Sequence, residues 1–206
     1  MTVQLYIADI RPLAGHEAAL LPLLSRERRQ QAEAFRDQEG RLHCIAAGLL
    51  LRHVLDAGDG DVTVDRHGKP SLVHRDDLHF NLSHGGDHVV LAVGPQPPGV
   101  DIQPILRQLH AFPVEKVFHA DERQWLAADP TPERLTLLWT RLESALKASG
   151  TGFDCPERQY SLVGGDCPWH FWTLHHEDNI ITVAAETSFT AEPHILPPEA
   201  LLPQMQ

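Results

Sequence analysis

Between Pro132 and Gly150 the apolar residues Leu135, Leu138, Trp139, Leu142 and Leu146 follow the i, i+3, i+4, i+7 spacing of an amphipathic helix. Pro132 and Glu133 mark its start and Gly150 its end. The run from Gly40 to Leu55 is the most apolar helical pattern in the chain and predicts the spine of the first half, ended by Gly58 and Gly60. A leucine-rich helix is predicted around Glu17 to Leu24. Another starts at the N-cap candidate Ser25 and runs to Phe35, with Arg28 where a capping box would carry glutamate. Short helices are predicted at Phe112 to Val117 and Asp121 to Leu126. Strand patterns cover Val3 to Ile10, Val62 to Val64, His79 to His84, Val89 to Val93, Val100 to Gln103, Gln159 to Val163, Trp169 to Leu174 and Ile180 to Ala185. Gly85-Gly86-Asp87 closes a hairpin with Ser83 and His84 at its mouth, and Glu177-Asp178-Asn179 turns the last two strands. The tail from Glu192 carries four prolines without periodicity, which predicts a loose or frayed segment.

The proline-stiffened stretch Gly94 to Gly99 reads as a linker. It divides the chain into an α+β half at 1–95, a second α+β half at 96–191 and a Pro-rich tail at 192–206. With 206 residues, 42% of them hydrophobic, the chain can bury one large core or two small ones. The N-terminus has no cationic region followed by an apolar run, and no segment reaches eighteen apolar residues, so a soluble cytoplasmic protein is expected. Cys44, Cys155 and Cys167 are odd in number and lack metal-ligand spacing, which suits a reducing compartment.

A formal charge of −11 argues against a general nucleic-acid binder. The charge is uneven, with ten basic against thirteen acidic residues in 1–98 and seven against fifteen in 99–206. Arg26, Arg28, Arg29, Arg36, Arg41 and Arg52 fall in one helical region, either as a solvated face or as a local holder of a small anion. There is no Gly-x-Gly-x-x-Gly, P-loop, nucleophile elbow, His-Glu-x-x-His or internal repeat.

Helical geometry sets Glu143 and Lys147 one turn apart, flanking the apolar stripe. As an isolated i, i+4 pair on a solvated surface they would contribute a few tenths of a kcal/mol, about 0.2–0.5, and carry no chemistry. Strand alternation puts Asp101 and Gln103 on one face of Val100 to Gln103, and an acid among β-branched residues needs a reason. Lys69 precedes Pro70 in the turn from Arg66, and His84 is one of fourteen histidines.

The order of these features carries more than any one of them. Gly68-Lys-Pro70, Phe80-Asn-Leu-Ser-His84, Gly99-Val-Asp-Ile-Gln103, Phe118-His-Ala-Asp-Glu122 and Trp139 through Glu143, Ser144 and Lys147 to Gly152 together resemble the 4′-phosphopantetheinyl transferases of the surfactin-synthetase-activating type. The resemblance runs from about Val3 to Ala185. It implies two similar α+β halves about a pseudo-twofold axis, each with a small antiparallel sheet, and a monomer with coenzyme A in the cleft between halves. The implied reaction moves phosphopantetheine from coenzyme A to a serine of an acyl or peptidyl carrier protein and leaves adenosine 3′,5′-bisphosphate. By the same resemblance Asp101 and Glu143 are Mg²⁺ ligands, with Gln103 a weaker metal contact where the family often has an acid. Glu143 is the candidate general base and Lys147 neutralises phosphate charge. Lys69, Ser83 and His84 match positions that hold the nucleotide and its phosphates, Arg28 falls near the 3′-phosphate, and Arg41 is a further candidate. Leu142 stands where the family usually has lysine, with Arg141 beside it. A second reading is a silent relative that binds coenzyme A or a carrier protein without turnover. A third, a metal phosphohydrolase, lacks the usual clustered Asp/His ligands.

Overall fold

The computed structural model describes residues 1–107, 113–152 and 160–202. Its centre is the strand β1 (Thr2–Asp9), whose alternation buries Val3, Leu5 and Ile7 on one face. Next come the single turn α1 (Glu17–Leu20) and a 3₁₀ turn over Leu21–Leu23, where one longer helix was expected; Pro22 inside that segment removes a helical N–H. Helix α2 (Arg26–Ala34) is capped by Ser25, whose Oγ accepts from the Arg28 N–H at 3.3 Å. Helix α3 (Gln38–Leu55) starts at Asp37, whose carboxylate accepts from Gly40 N–H at 2.6 Å. It ends at Leu55 as the apolar pattern predicts, but the stop is Asp56 and not Gly58 or Gly60. Asp56 takes the left-handed conformation, φ 52°, and returns its N–H to Arg52 O.

The strands β2 (Val62–Val64) and β3 (Pro70–Leu72) form a small ribbon beside the hairpin β4 (His79–Gly85) and β5 (His88–Gly94). After the linker come β6 (Gly99–Pro104), α4 (Val114–Val117), α5 (Ala120–Ala127), α6 (Pro132–Ser149), β7 (His170–His176), β8 (Asn179–Ala185) and β9 (Thr190–Ile195). Phe112, predicted to begin α4, and Gln159, predicted to begin a strand, lie outside the described residues. Tyr160 to Val163 is not a strand. Its amides are spent on side chains: Leu162 N–H donates to Glu122 Oε1 at 2.6 Å and Val163 N–H to Ser161 Oγ at 3.2 Å.

The expectation of a loose tail from Glu192 is corrected by β9, which pairs in parallel with β1, Leu5 opposite Pro193. Proline is tolerated there because β9 is an edge strand. The first sheet therefore has the order β4-β5-β1-β9 and is mixed, with antiparallel pairing except at β1 and β9. The second, β6-β8-β7, is antiparallel throughout.

Alternation along the strands stacks these pieces. Val3, Leu5, Ile7, Val90 and Ala92 meet Val100, Ile102, Ile181 and Val183 in the apolar layer between the sheets. Val89, Leu91 and Val93 point the other way into a core with Ile45, Leu49 and Leu50 of α3. On the far side, α6 lies on β6 and β8. Thr136, Thr140, Ser144 and Ala148, four apart on that helix, are all buried, and Thr140 and Thr182 hydroxyls bond at 2.8 Å. The leucine stripe of α6 packs outward instead, against Phe118 and Leu126 around α4 and α5. The close approach of α6 to β6 depends on Gly99, where an added Cβ would stand 1.9 Å from Ser144 O.

Candidate active site

The edge strands of the two sheets, β4 and β6, run side by side without a backbone ladder, and side chains close the seam. Asn81 Oδ1 accepts from the buried Val100 N–H at 2.9 Å. Two residues further along β4 and one further along β6, Ser83 Oγ donates to Asp101 Oδ1 at 2.9 Å. Lys147 reaches in from α6, with Nζ 2.8 Å from Ser83 Oγ and 2.7 Å from Asp101 Oδ1. Asp101 is 1% exposed, so this ion pair and hydroxyl hold a carboxylate that would otherwise be a costly buried charge. A Cβ at Gly85 would meet Ile102 O at 2.5 Å, so glycine is also what lets the strands approach further along.

Glu143, one turn before Lys147, lines a hollow of about 260 Å³ together with Lys147, Lys69 and Asn81. Burial, and then the Asp101 charge, raise its carboxyl above the ordinary glutamate range against the opposing pull of Lys147. The Gln103 amide donates to Asp101 Oδ2 across 3.4 Å, so the two side chains share a face as strand alternation predicts. That contact is at the limit of a hydrogen bond, and turning the amide over offers Oε1 on the same side. Two carboxylates and an amide oxygen form an oxygen-rich donor set, which fits a small hard cation.

A larger cavity of about 610 Å³ shares Gly68, Pro70 and Leu82 with the first hollow. Ser83, His84, His43 and Arg28 face it. His84 stacks on His43 with ring centroids 4.7 Å apart, and His43 Nε2–H donates to Gly86 O at 2.8 Å. Burial, then the neighbouring His43 and Lys147, lower the His84 pKa and favour the neutral ring. Arg28 is laid across α3 at Gly48, where a Cβ would meet its Cγ at 2.6 Å.

The structure thus brings Ser83, Asp101, Gln103 and Lys147 into one bonded cluster, with Glu143 in the adjoining hollow and Arg28 and His84 in the larger cavity. Lys69 lines the smaller hollow, where its ammonium donates to Ala148 O at 2.6 Å and ties down the C-terminal turn of α6. Arg41 goes elsewhere, donating to Phe35 O at 2.9 Å and facing a separate hollow with Glu17 and Glu33. The other arginines of the basic cluster disperse too: Arg29 pairs with Glu33 and Arg52 donates to Leu23 O. Arg141 lies half buried over the Phe171 ring and donates to Leu162 O, packed into the outer face of α6. Two residues went unnoticed in the sequence. Asn81 had a signal, an amide between Phe80 and Leu82 in a predicted strand, while His43 had none beyond its place in an apolar helix.

The two-edged seam thus carries a buried acid, a hydroxyl and an ammonium beside an open cavity. The 4′-phosphopantetheinyl transferase superfamily model matches residues 97–184, which run from β6 into β8. The 4′-phosphopantetheinyl transferase psf-1 of Bacillus pumilus is 30% identical over 164 residues, 73% of this chain and 70% of that protein. The 4′-phosphopantetheinyl transferase Sfp of Bacillus subtilis (strain 168) is 29% identical over 165 residues, 74% of this chain and 72% of that protein. The chain belongs to the 4′-phosphopantetheinyl transferase superfamily.

Proposed function

We propose that the protein transfers 4′-phosphopantetheine from coenzyme A to a serine of an acyl or peptidyl carrier protein in a Mg²⁺-dependent reaction that releases adenosine 3′,5′-bisphosphate. The observation that carries this reading is the cluster of Ser83, Asp101 and Lys147 at the β4–β6 seam, continuous through Lys147 with the hollow lined by Glu143. It rests also on membership of the superfamily. The adjoining cavity of about 610 Å³ is of a size to take the nucleotide end of coenzyme A. Arg28 and His84 are read as partners of its phosphates, since a guanidinium and an imidazole N–H both donate to phosphate oxygens. Ser83 and Lys69 are read as further holders of the nucleotide side.

In the transfer, the carrier serine oxygen attacks the phosphorus that bears pantetheine. The pyrophosphate P–O bond breaks, and the electron pair leaves on the adenosine bisphosphate. Glu143 takes the serine proton, a role suited to a carboxylate whose surroundings favour the protonated form. Lys147 sets an ammonium against the charge that develops on the phosphoryl oxygens. Asp101, Glu143 and, more weakly, Gln103 would hold the Mg²⁺, which neutralises pyrophosphate charge when bound. Two halves related by a pseudo-twofold axis, 1–95 and 96–191, belong to the same reading. Supporting it, each half sets one 18-residue helix on the outer face of a pair of antiparallel strands, α3 on β1 and β5 and α6 on β6 and β8. A monomer in the cytoplasm is expected; among the described residues no helix is long and apolar enough to cross a membrane.

Intact-mass measurement of apo acyl, peptidyl and siderophore-type carriers incubated with the protein, coenzyme A and Mg²⁺ tests the reading. A gain of one phosphopantetheine on the carrier serine is expected. Failure with all three carriers while coenzyme A still binds would leave a binding protein without turnover.

A further inference from the structure

Away from the cleft, at the opposite end of the seam from Asn81, two turns meet: Gly86–Asp87 between β4 and β5, and Glu177–Asp178 between β7 and β8. His88 begins β5 and is 2% exposed, and His176 ends β7. Together with Glu177 they bring one ligand atom each within 4.8 Å of one another. The two imidazoles meet edge to face at 4.9 Å, and His88 Nε2 lies 3.8 Å from Glu177 Oε2. A tetrahedral Zn²⁺ with bonds of about 2.0–2.2 Å needs ligand atoms roughly 3.3–3.5 Å apart, so a closure of about 1.4 Å at most completes three positions and leaves a fourth to water. The half-exposed Glu177 side chain is free to supply much of it.

Three further observations fit a cation here. Glu177 presents its other oxygen, Oε1, to Arg11 at 3.4 Å, and Arg11 is itself held by Asp9 at 2.6 Å and lies 3.7 Å from Asp87. Three carboxylates thus stand against one guanidinium, a local excess of negative charge. Glu177 also holds the left-handed backbone conformation, φ 50°, which a residue with a Cβ adopts at a cost. The third observation is Asn179, 95% buried by its 5% exposure, whose Oδ1 has no hydrogen-bond partner among the described residues. Its Nδ2 makes two long contacts instead, 3.5 Å to His88 Nδ1 and 3.4 Å to His176 O. A buried amide oxygen without a donor is costly unless another group, such as a bound cation or its water, satisfies it.

We infer that His88, His176 and Glu177 form a binding site for one Zn²⁺ or a similar borderline divalent ion, which clamps the β4–β5 turn to the β7–β8 turn. The site is separate from the oxygen donors at Asp101 and Glu143. Its nitrogen ligands select against Mg²⁺.

The test is equilibrium dialysis against Zn²⁺ in the presence of millimolar Mg²⁺, with metal measured per chain, and visible absorption after Co²⁺ loading. Expected are one equivalent of Zn²⁺, a rise in melting temperature on its addition, and the intense d–d bands of four-coordinate Co²⁺. Glu177→Gln, at an exposed position, and His176→Ala should each weaken Zn²⁺ at least about tenfold and abolish the Co²⁺ bands. Glu143→Gln should leave Zn²⁺ uptake and the bands as in the wild type. Absence of stoichiometric Zn²⁺ in the wild type, or uptake by Glu177→Gln and His176→Ala equal to the wild type's, overturns the site.

Discussion

Glu143 is a half-buried acid whose environment resists ionisation, and that sets its effect on stability as well as on chemistry. Its proton affinity is higher in the folded chain than in the unfolded one, so the unfolded state loses its proton first as pH rises. Stability is therefore drawn down from about the ordinary glutamate pKa of 4.5 upward and stays reduced at neutral pH. Glu143→Gln removes that loss. It should raise the melting temperature at pH 7 without divalent metal, with the gain vanishing below pH 4.5, while transfer falls by at least about 10²-fold, as loss of a general base requires. A lower melting temperature at pH 7, or near-normal turnover, would make Glu143 a structural residue. Arg28 belongs to the same scale. If its guanidinium meets the 3′-phosphate, Arg28→Ala should weaken coenzyme A about tenfold or more while dephospho-coenzyme A is little changed, by the worth of a charge-assisted hydrogen bond. Equal losses for the two ligands in a calorimetric titration would move Arg28 off that phosphate.

At the scale of elements the site depends on how closely α6 lies on β6. An alanine at Gly99 would drive its methyl carbon into Ser144 O at 1.9 Å and Ala148 N at 2.4 Å, both backbone atoms that cannot swing aside. Gly99→Ala should cost about 1–3 kcal/mol or more. It should lower transfer further than the stability loss accounts for, because lifting α6 pulls Lys147 from Asp101 and Ser83. Gly165→Ala, where nothing lies within 4 Å, is the control and should sit within about 0.5 kcal/mol of the wild type in denaturant titration. The sequence made α6 itself easy to read, since its leucine stripe, its proline start and its glycine stop agree. Its other face was hidden: threonine, serine and alanine at i, i+4 do not register as apolar, yet they are the side that meets the sheet and aims Glu143 and Lys147. Asp101 and Gln103 were legible for the opposite reason, as polar residues in a strand with fixed alternation. Arg41 could be named only as a further candidate because a helical cluster of arginines gives no register, and packing at Gly48 is what distinguishes Arg28. Tyr160 to Val163 looked like a strand because β-propensity cannot see that its amides are taken by Glu122 and Ser161.

At the scale of the whole molecule, the segment hardest to read is the one that closes the fold. Proline at 193, 197 and 198 masks β9, whose pairing with β1 joins residues some 190 positions apart, and no local pattern reports such a partner. Beyond β9, Leu201 returns to the α3 core and is 6% exposed. Removing Thr190 to Gln206 would strip β1 of its edge partner and open a hole beside α3. The Leu201 side chain alone carries about 2–5 kcal/mol by the usual cost of deleting a buried leucine. A loss of about 3 kcal/mol in a chain of this size corresponds to a fall of about 6–12 °C in melting temperature. The uncovered β1 edge should also self-associate. The cleft lies at the other side of the sheet: β9 is three strand spacings from β4, roughly 14 Å at about 4.8 Å each. The truncated chain should therefore lose melting temperature and show aggregates by light scattering, while its monomeric fraction transfers phosphopantetheine at close to the full-length rate. A truncated monomer as stable as the full chain would mean that β9 covers the edge without holding it. A stable monomer that is inactive would mean that the far edge of the sheet reaches the seam after all.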